Sequence, residues 1–230
     1  MGEEGRPLGH LFLAKTFQLS TALPALSPEL QAAYMDHLLR VSGSVEFGEE
    51  IALRRVEAES VFKGADTEAD VLAVIRSSTT EDAILQQAIR GAAVRRFSNP
   101  EIREISEHRL QDFVDLVESN PRSMKRFINA YAMERDLRTT EGVYPEPEFL
   151  AKWTILVLRW PDLAAVLVTE PDAVAHIGTS VGGNIPPGVA ALFIDDDVAS
   201  VIKGTKPRHG APLDAAAIRL CSGLDTARRR

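Results

Sequence analysis

The sequence predicts a mainly α-helical protein. Apolar residues recur three and four positions apart along much of the chain, which is typical of helices with one buried face. Two such segments follow a capping residue and a proline, at Ser27-Pro28 and Asn120-Pro121, and this order marks the start of a helix. No segment shows the strict alternation of a strand ladder, and the chain has no internal repeat.

The first half of the chain is expected to hold several amphipathic helices. Thr67 and Asp70 resemble a capping box, which predicts a helix that ends at about Ser77. The other helices expected in this half follow Ser27-Pro28, run from Thr80 to near Phe97 ahead of Asn99-Pro100, and run from His108 to Glu118.

The second half is expected to begin with its best-specified helix, over 120–138. Asn120 is the predicted cap, Pro121 the first helical residue, and 139–147 a linker. Residues 149–160 are apolar almost all round, which indicates a buried helix. Shorter helices are expected over 162–168, 172–177, 197–203 and 213–221, with a Gly/Pro loop over 178–188.

Composition excludes several classes of function. The net charge of −7 argues against nonspecific binding of nucleic acid by the chain as a whole. Cys221 is the single cysteine, so neither an internal disulfide nor a thiolate metal site is expected. The most apolar stretch, 149–168, is interrupted by charged residues and a proline and is too broken to span a bilayer. We expect a cytoplasmic protein without a membrane partner.

Several motif matches have simpler explanations. No segment has the Gly-x-x-x-x-Gly-Lys-Ser/Thr pattern of a P-loop. Residues 190–197 resemble a Walker B strand, but without a P-loop we expect an aspartate cap on a helix near Asp197. Residues 178–182 match Gly-x-Ser-x-Gly in the wrong structural context. The five histidines, at positions 10, 37, 108, 176 and 209, lack the spacing of metal ligands.

The helix after Asn120 carries the main candidate site. At 100° per residue, Arg122, Lys125 and Arg126 fall on one face, opposite an apolar stripe that includes Phe127 and Tyr131. Cations in the first turns oppose the helix dipole, so their placement suggests an anionic target such as a phosphate or a carboxylate. The alternative is a solvated face whose cations pair with neighbouring acidic residues.

Two segments resemble a known family. Residues 120–129, Asn-Pro-Arg-Ser-Met-Lys-Arg-Phe-Ile-Asn, resemble the N-P-R-x-x-K-R-F-x-N signature of KAP-type P-loop NTPases, in the STAND-like ATPase group. Residues 12–18, followed by Leu23-Pro24, resemble the family's F-L-x-K-I-[FI]-Q…L-P segment. Ala14 and Thr16 depart from its usual Glu and Ile. The two segments occur in the family's order and span roughly residues 9–135.

The resemblance implies a helical lid and sensor region, followed by a small helical C-terminal domain. In the family the Walker A and B region precedes the F-L-x-K segment, so we expect the C-terminal part of a larger or split NTPase. The expected units are residues 1–26, a post-sensor segment of the core, 27–140, the helical lid and sensor region, and 141–230, the small helical domain. Some bacterial relatives act in phage exclusion, which is an associative hint only.

The resemblance also implies roles for the three cations. Arg122 is the first candidate to contact the γ-phosphate of a nucleotide, with Arg126 and Lys125 behind it. ATP and Mg²⁺ are expected in the complete ATPase and neither in this chain alone. The expected partner is the rest of the NTPase core or another chain, and a homo-oligomer is left open.

Two other functions remain open at this stage. One is a non-enzymatic helical module for protein interaction, derived from the same family. The other is a nucleic-acid-binding helix that uses the same cations, against which the net charge of −7 argues.

Overall fold

The computed structural model describes residues 53–179 and 186–224, which belong to one compact unit over 49–230. The predicted mainly α-helical class is confirmed, and the described residues include no strand. The helix expected after Ser27-Pro28, the first family-like segment and residues 180–182 lie outside the described residues. No helix of the described part is both long and apolar enough to cross a membrane.

Ten α-helices make up most of the described chain. In order they are α1 Arg55–Ser60, α2 Glu68–Ser77, α3 Ala83–Phe97, α4 Pro100–Leu110, α5 Pro121–Glu141, α6 Pro147–Arg159, α7 Pro161–Thr169, α8 Pro187–Leu192, α9 Asp196–Lys203 and α10 Ala215–Ser222. Three 3₁₀ helices lie between them, at Gln111–Leu116, Pro171–His176 and Pro207–His209.

The start of α2 confirms the predicted capping box. The Thr67 hydroxyl accepts the backbone N–H of Asp70, and the Asp70 carboxylate accepts the backbone N–H of Thr67 at 3.0 Å. The helix ends at Ser77 as expected. The next helix begins at Ala83 instead of Thr80, because the Asp82 carboxylate accepts the backbone N–H groups of the two residues after Ala83.

The predicted helix over His108–Glu118 is wrong. Asn99-Pro100 both ends α3 and starts α4, since the Asn99 side chain accepts a backbone N–H at 2.9 Å and proline fits the first helical position. Helix α4 ends at Leu110, and the chain continues as a 3₁₀ helix to Leu116. The apolar spacing had matched the end of one helix and the tighter helix that follows it.

Helix α5 extends three residues beyond the predicted end at Arg138. Thr139 is buried, and its hydroxyl donates to the Arg135 carbonyl at 2.8 Å. Gly142 then ends the helix with a left-handed backbone, φ 79°, a conformation that glycine adopts without strain. The connection to α6 is therefore shorter than the predicted linker over 139–147.

Two apolar clusters lie within the described unit. The first is formed by α1 to α4 and includes Phe62, Ile75 and Phe97. The second surrounds α6, whose residues from Leu150 to Leu156 are all buried. The predicted full burial over 149–160 does not extend to the end of the helix, where Val157 is 37% exposed. The expected division between residues 140 and 141 stays a prediction.

The second cluster encloses polar groups as well. Lys152 is fully buried on α6, and its ammonium donates to the Ala211 carbonyl. His209 is fully buried and stacks on Phe113. Its Nδ1 accepts the Thr205 backbone N–H at 3.0 Å, which leaves the proton on Nε2 to be donated to the Asp112 carbonyl at 2.8 Å.

The C-terminal helix closes this cluster. Cys221 on α10 is fully buried, and burial raises the pKa of its thiol to about 12. Gly223 ends the helix with φ 76°, and a Cβ there would overlap the Arg138 guanidinium. The end of α10 is thereby fitted against the end of α5.

Candidate functional site

The candidate site lies on the first half of α5, and the residues before the helix fix where it begins. The Asn120 side chain accepts the backbone N–H of Ser123 at 2.7 Å, and Pro121 occupies the first helical position. The Ser123 hydroxyl donates to Glu118 at 2.7 Å. The predicted cap is thus confirmed, and Glu118 is held at the start of the helix.

The inner face of α5 holds the helix on the core. Phe127 and Tyr131 are buried, as the predicted apolar stripe requires. The Tyr131 hydroxyl donates to the buried carboxylate of Glu68 at 2.6 Å. Burial, with the adjacent Glu68 charge, raises the pKa of Tyr131 well above its ordinary value. The helix therefore cannot rotate to bury its cations without losing these contacts.

The outer face presents the three predicted cations. Arg122, Lys125 and Arg126 are all exposed. Among the described residues none of the three side chains takes part in an ion pair or hydrogen bond. The alternative that pairs them with neighbouring acidic residues has no support in the described part of the chain. Three cations over two turns, without an ion-pair partner in the described part of the chain, make a surface suited to an anion.

In the second half of the same helix the arginines are buried and paired with acidic residues. Arg135 is 7% exposed, lies over the Phe97 ring at 4.3 Å and pairs with Asp136 at 3.1 Å. Its guanidinium also lies 3.9 Å from Glu68. Arg138 pairs with Glu141 at 2.6 Å and with Glu134 at 3.3 Å. Sequence spacing did not separate these buried cations from the exposed ones.

A small cleft borders the cationic surface. Its volume is about 50 Å³, and its walls include Phe127, Ile155 and Leu158, with Arg126 at one side. Sites for drug-sized ligands are usually about 300–1,000 Å³. The cleft is far smaller than such a site, and of the three cations only Arg126 lines it.

The segment that resembles a Walker B strand forms the expected aspartate cap. Asp195 caps α9, because its carboxylate accepts the backbone N–H groups of Asp197 and Val198 at 2.9 and 3.0 Å. Asp197 accepts a hydrogen bond from Arg159 at 2.6 Å. The segment that resembles a Walker B strand is therefore a helix followed by a helix cap. Over the described ranges, no group of three or more potential ligand side chains could hold a metal ion.

Comparisons with known proteins leave the family open. No protein-family model matches the chain, and no curated protein or solved structure matches it significantly. The resemblance to KAP-type NTPases therefore stays a hypothesis that rests on the two quoted segments.

Proposed function

We propose that the chain is a helical lid and sensor module of a KAP-like P-loop ATPase. In this proposal Arg122 contacts the γ-phosphate of ATP, with Arg126 and Lys125 supporting it, and another segment or chain supplies the P-loop and Mg²⁺ site. A guanidinium near the transferring phosphate stabilises charge that develops in the transition state.

The observation that carries the proposal is the set of three exposed cations without partners among the described residues. Arg122 lies in the first turn, where it opposes the helix dipole at a typical cost of about 0.3–1 kcal/mol, and Lys125 and Arg126 follow in the second turn. A protein that keeps cations in such positions gains little stability from them. An external anion accounts for both their exposure and their position.

The first experiment uses the full chain alone. Isothermal titration with Mg-ATP should show no tight binding, and a phosphate-release assay should show no turnover. The expected reason is the absence of a P-loop from the sequence and the open geometry of the cationic surface. Micromolar binding together with turnover by the isolated chain would overturn the proposal.

The second experiment uses the assembled ATPase. Arg122→Ala should lower kcat by a factor of about 100 or more while leaving the KM for ATP nearly unchanged. The matched control is Arg103→Ala, which removes an exposed arginine paired with Glu107 at 2.7 Å. If Arg122→Ala leaves hydrolysis intact, the chain is instead a non-enzymatic interaction module.

A further inference from the structure

The outer face of α5 continues beyond its cations. Asn129, Met133 and Leu137 lie on the same side of the helix as Arg126, within about a quarter of its circumference. Met133 is 72% exposed and Leu137 is 44% exposed. The face is therefore cationic in its first half and apolar in its second half, over a helix of 21 residues.

The flanks of the second half carry acidic groups. The side chains of Glu134, Asp136 and Glu141 are each about one-third exposed, at 30%, 31% and 32%. Arg135 and Arg138 offset two of these charges. The half over 132–141 therefore has one net negative charge, while the half over 121–131 has three positive charges and no acidic residue.

We propose that a second copy of this chain covers this face, with the two α5 helices antiparallel. In that arrangement the cationic half of each helix meets the acidic and apolar half of the other. A parallel pair would place the three cations of one copy against the same three of the other. Charge complementarity therefore selects both the occupant and its direction.

One flank sets the register. In an antiparallel pair each flank faces the same flank of the partner. Lys125 and Asp136 lie on one flank, about 20° apart around the helix, while Arg126 lies on the face itself beside Met133. Lys125 of each copy comes opposite the acidic side chain on the partner's flank when the two-fold axis passes midway between Ala130 and Tyr131. Met133 then lies close to Asn129 of the partner subunit.

The size of the face sets the strength of the dimer. At 1.5 Å per residue α5 is about 30 Å long, and a strip about 10 Å wide covers roughly 300 Å² per copy. Stable interfaces bury about 800 Å² per partner. We therefore expect a weak dimer, with a dissociation constant of tens of micromolar that rises with salt.

The dimer and the proposed phosphate contact exclude each other because they use the same cations. Self-association would hold the module in a covered state, and a polyphosphate would compete with the second copy. Only this competition rests on the proposed function, since the dimer follows from the face itself.

The experiment is sedimentation of the full chain between about 1 and 300 μM in low salt, over the range set by the expected affinity. The wild type should dimerise, and Met133→Glu with Leu137→Glu should remain monomeric yet fold, as checked by circular dichroism and urea unfolding. Val56→Glu, at a residue that is 78% exposed on α1, is the matched control and should still dimerise. A monomeric wild type, or a dimer unaffected by the double change on α5, would overturn the proposal.

Cross-linking tests the direction of the pair. Two Met133→Cys thiols should lie about 8 Å apart along the antiparallel pair and react with a short bismaleimide, whereas two Thr140→Cys thiols, about 29 Å apart, should not. Cross-linking of Thr140→Cys as readily as Met133→Cys would indicate parallel helices and contradict the proposal.

Competition separates the two proposals. Millimolar tripolyphosphate should dissociate the dimer more than sodium chloride of equal ionic strength does. If both salts dissociate the dimer equally, the result would support an electrostatic dimer but count against a phosphate site on α5. Absence of a dimer would leave the ATPase proposal untouched.

Discussion

The two halves of α5 use the same residue type in opposite ways. Arg135 and Arg138 are buried and paired with carboxylates, whereas Arg122 and Arg126 are exposed and have no partner among the described residues. A buried guanidinium must be compensated or the fold loses stability, while an exposed one is free to serve something outside the fold. Burial and pairing thus separate cations that build the helix from cations available for binding.

The largest expected effect is at Arg135. Arg135→Ala removes the cation over Phe97 and leaves Glu68 buried with less compensating charge, so the free energy of unfolding should fall by about 3 kcal/mol. Urea unfolding measures the change. The double variant with Glu68→Gln should lose less than the sum of the single changes. Simple additivity of the two would show that the buried charges are not coupled.

A smaller loss is expected where α10 meets Arg138. Gly223→Ala combines a left-handed φ with overlap of the Arg138 guanidinium, and should cost about 2–3 kcal/mol. Gly64→Ala is the matched control, because Gly64 has φ 83° with no atom within 4 Å of an added Cβ. It should cost only about 1 kcal/mol. Equal losses at the two sites would mean that Arg138 moves aside freely.

Substitution of Lys152 tests whether its positive charge is needed for the stability of the fold. Lys152→Ala leaves a cavity and should cost about 2 kcal/mol, whereas Lys152→Met keeps the volume and should stay within about 1 kcal/mol of wild type. Thermal and urea unfolding at neutral pH provide the two values. A methionine variant as unstable as the alanine variant would show that the bond to Ala211 is essential.

The same residue gives a pH dependence with a defined sign. Burial lowers the pKa of Lys152 below its ordinary value of 10.5, so the folded state is penalised while the ammonium is charged. The free energy of unfolding therefore rises between the lowered folded pKa and the unfolded value of 10.5, because over that range the unfolded chain keeps the proton that the folded chain has lost. The stability of wild type relative to Lys152→Met should therefore rise on going from neutral to alkaline pH. If the difference in stability between wild type and Lys152→Met does not change with pH, the prediction is wrong.

The smallest effect is expected at the exposed cations. Replacement of Arg122, Lys125 and Arg126 by glutamine should change the free energy of unfolding by no more than about 1 kcal/mol, and towards greater stability, since cations in the first turns oppose the helix dipole. Chemical unfolding of the triple variant beside Arg135→Ala measures the contrast between the two halves. A large destabilisation would place these cations among the groups that build the fold.

Sequence information was sufficient where the deciding contact is local. The Thr67 and Asn120 caps bond to residues three positions away, so the pattern could be recognised in a short window. Sequence information was ambiguous at Asn99-Pro100, because the same pair ends one helix and starts another. It could not predict the hydrogen bond between Tyr131 and Glu68, since the two residues are 63 positions apart and only tertiary packing brings them together.

At the candidate site, too, the sequence predicted the local arrangement but not the tertiary contacts. The helical period placed Arg122, Lys125 and Arg126 on an outward face, and the structure agrees. The period alone could not show whether they have acidic partners, because such partners could come from any neighbouring helix. Nor could it show that Arg135 and Arg138 are enclosed by α3 and α10.

Cys221 makes the opening of the C-terminal helix measurable. It is the single thiol of the chain, fully buried, and its pKa of about 12 leaves almost no thiolate at neutral pH. A thiol reagent can therefore react only when α10 detaches or the unit unfolds. The labelling rate, followed against denaturant, would separate local detachment of α10, nearly independent of denaturant, from global unfolding, which depends on it steeply.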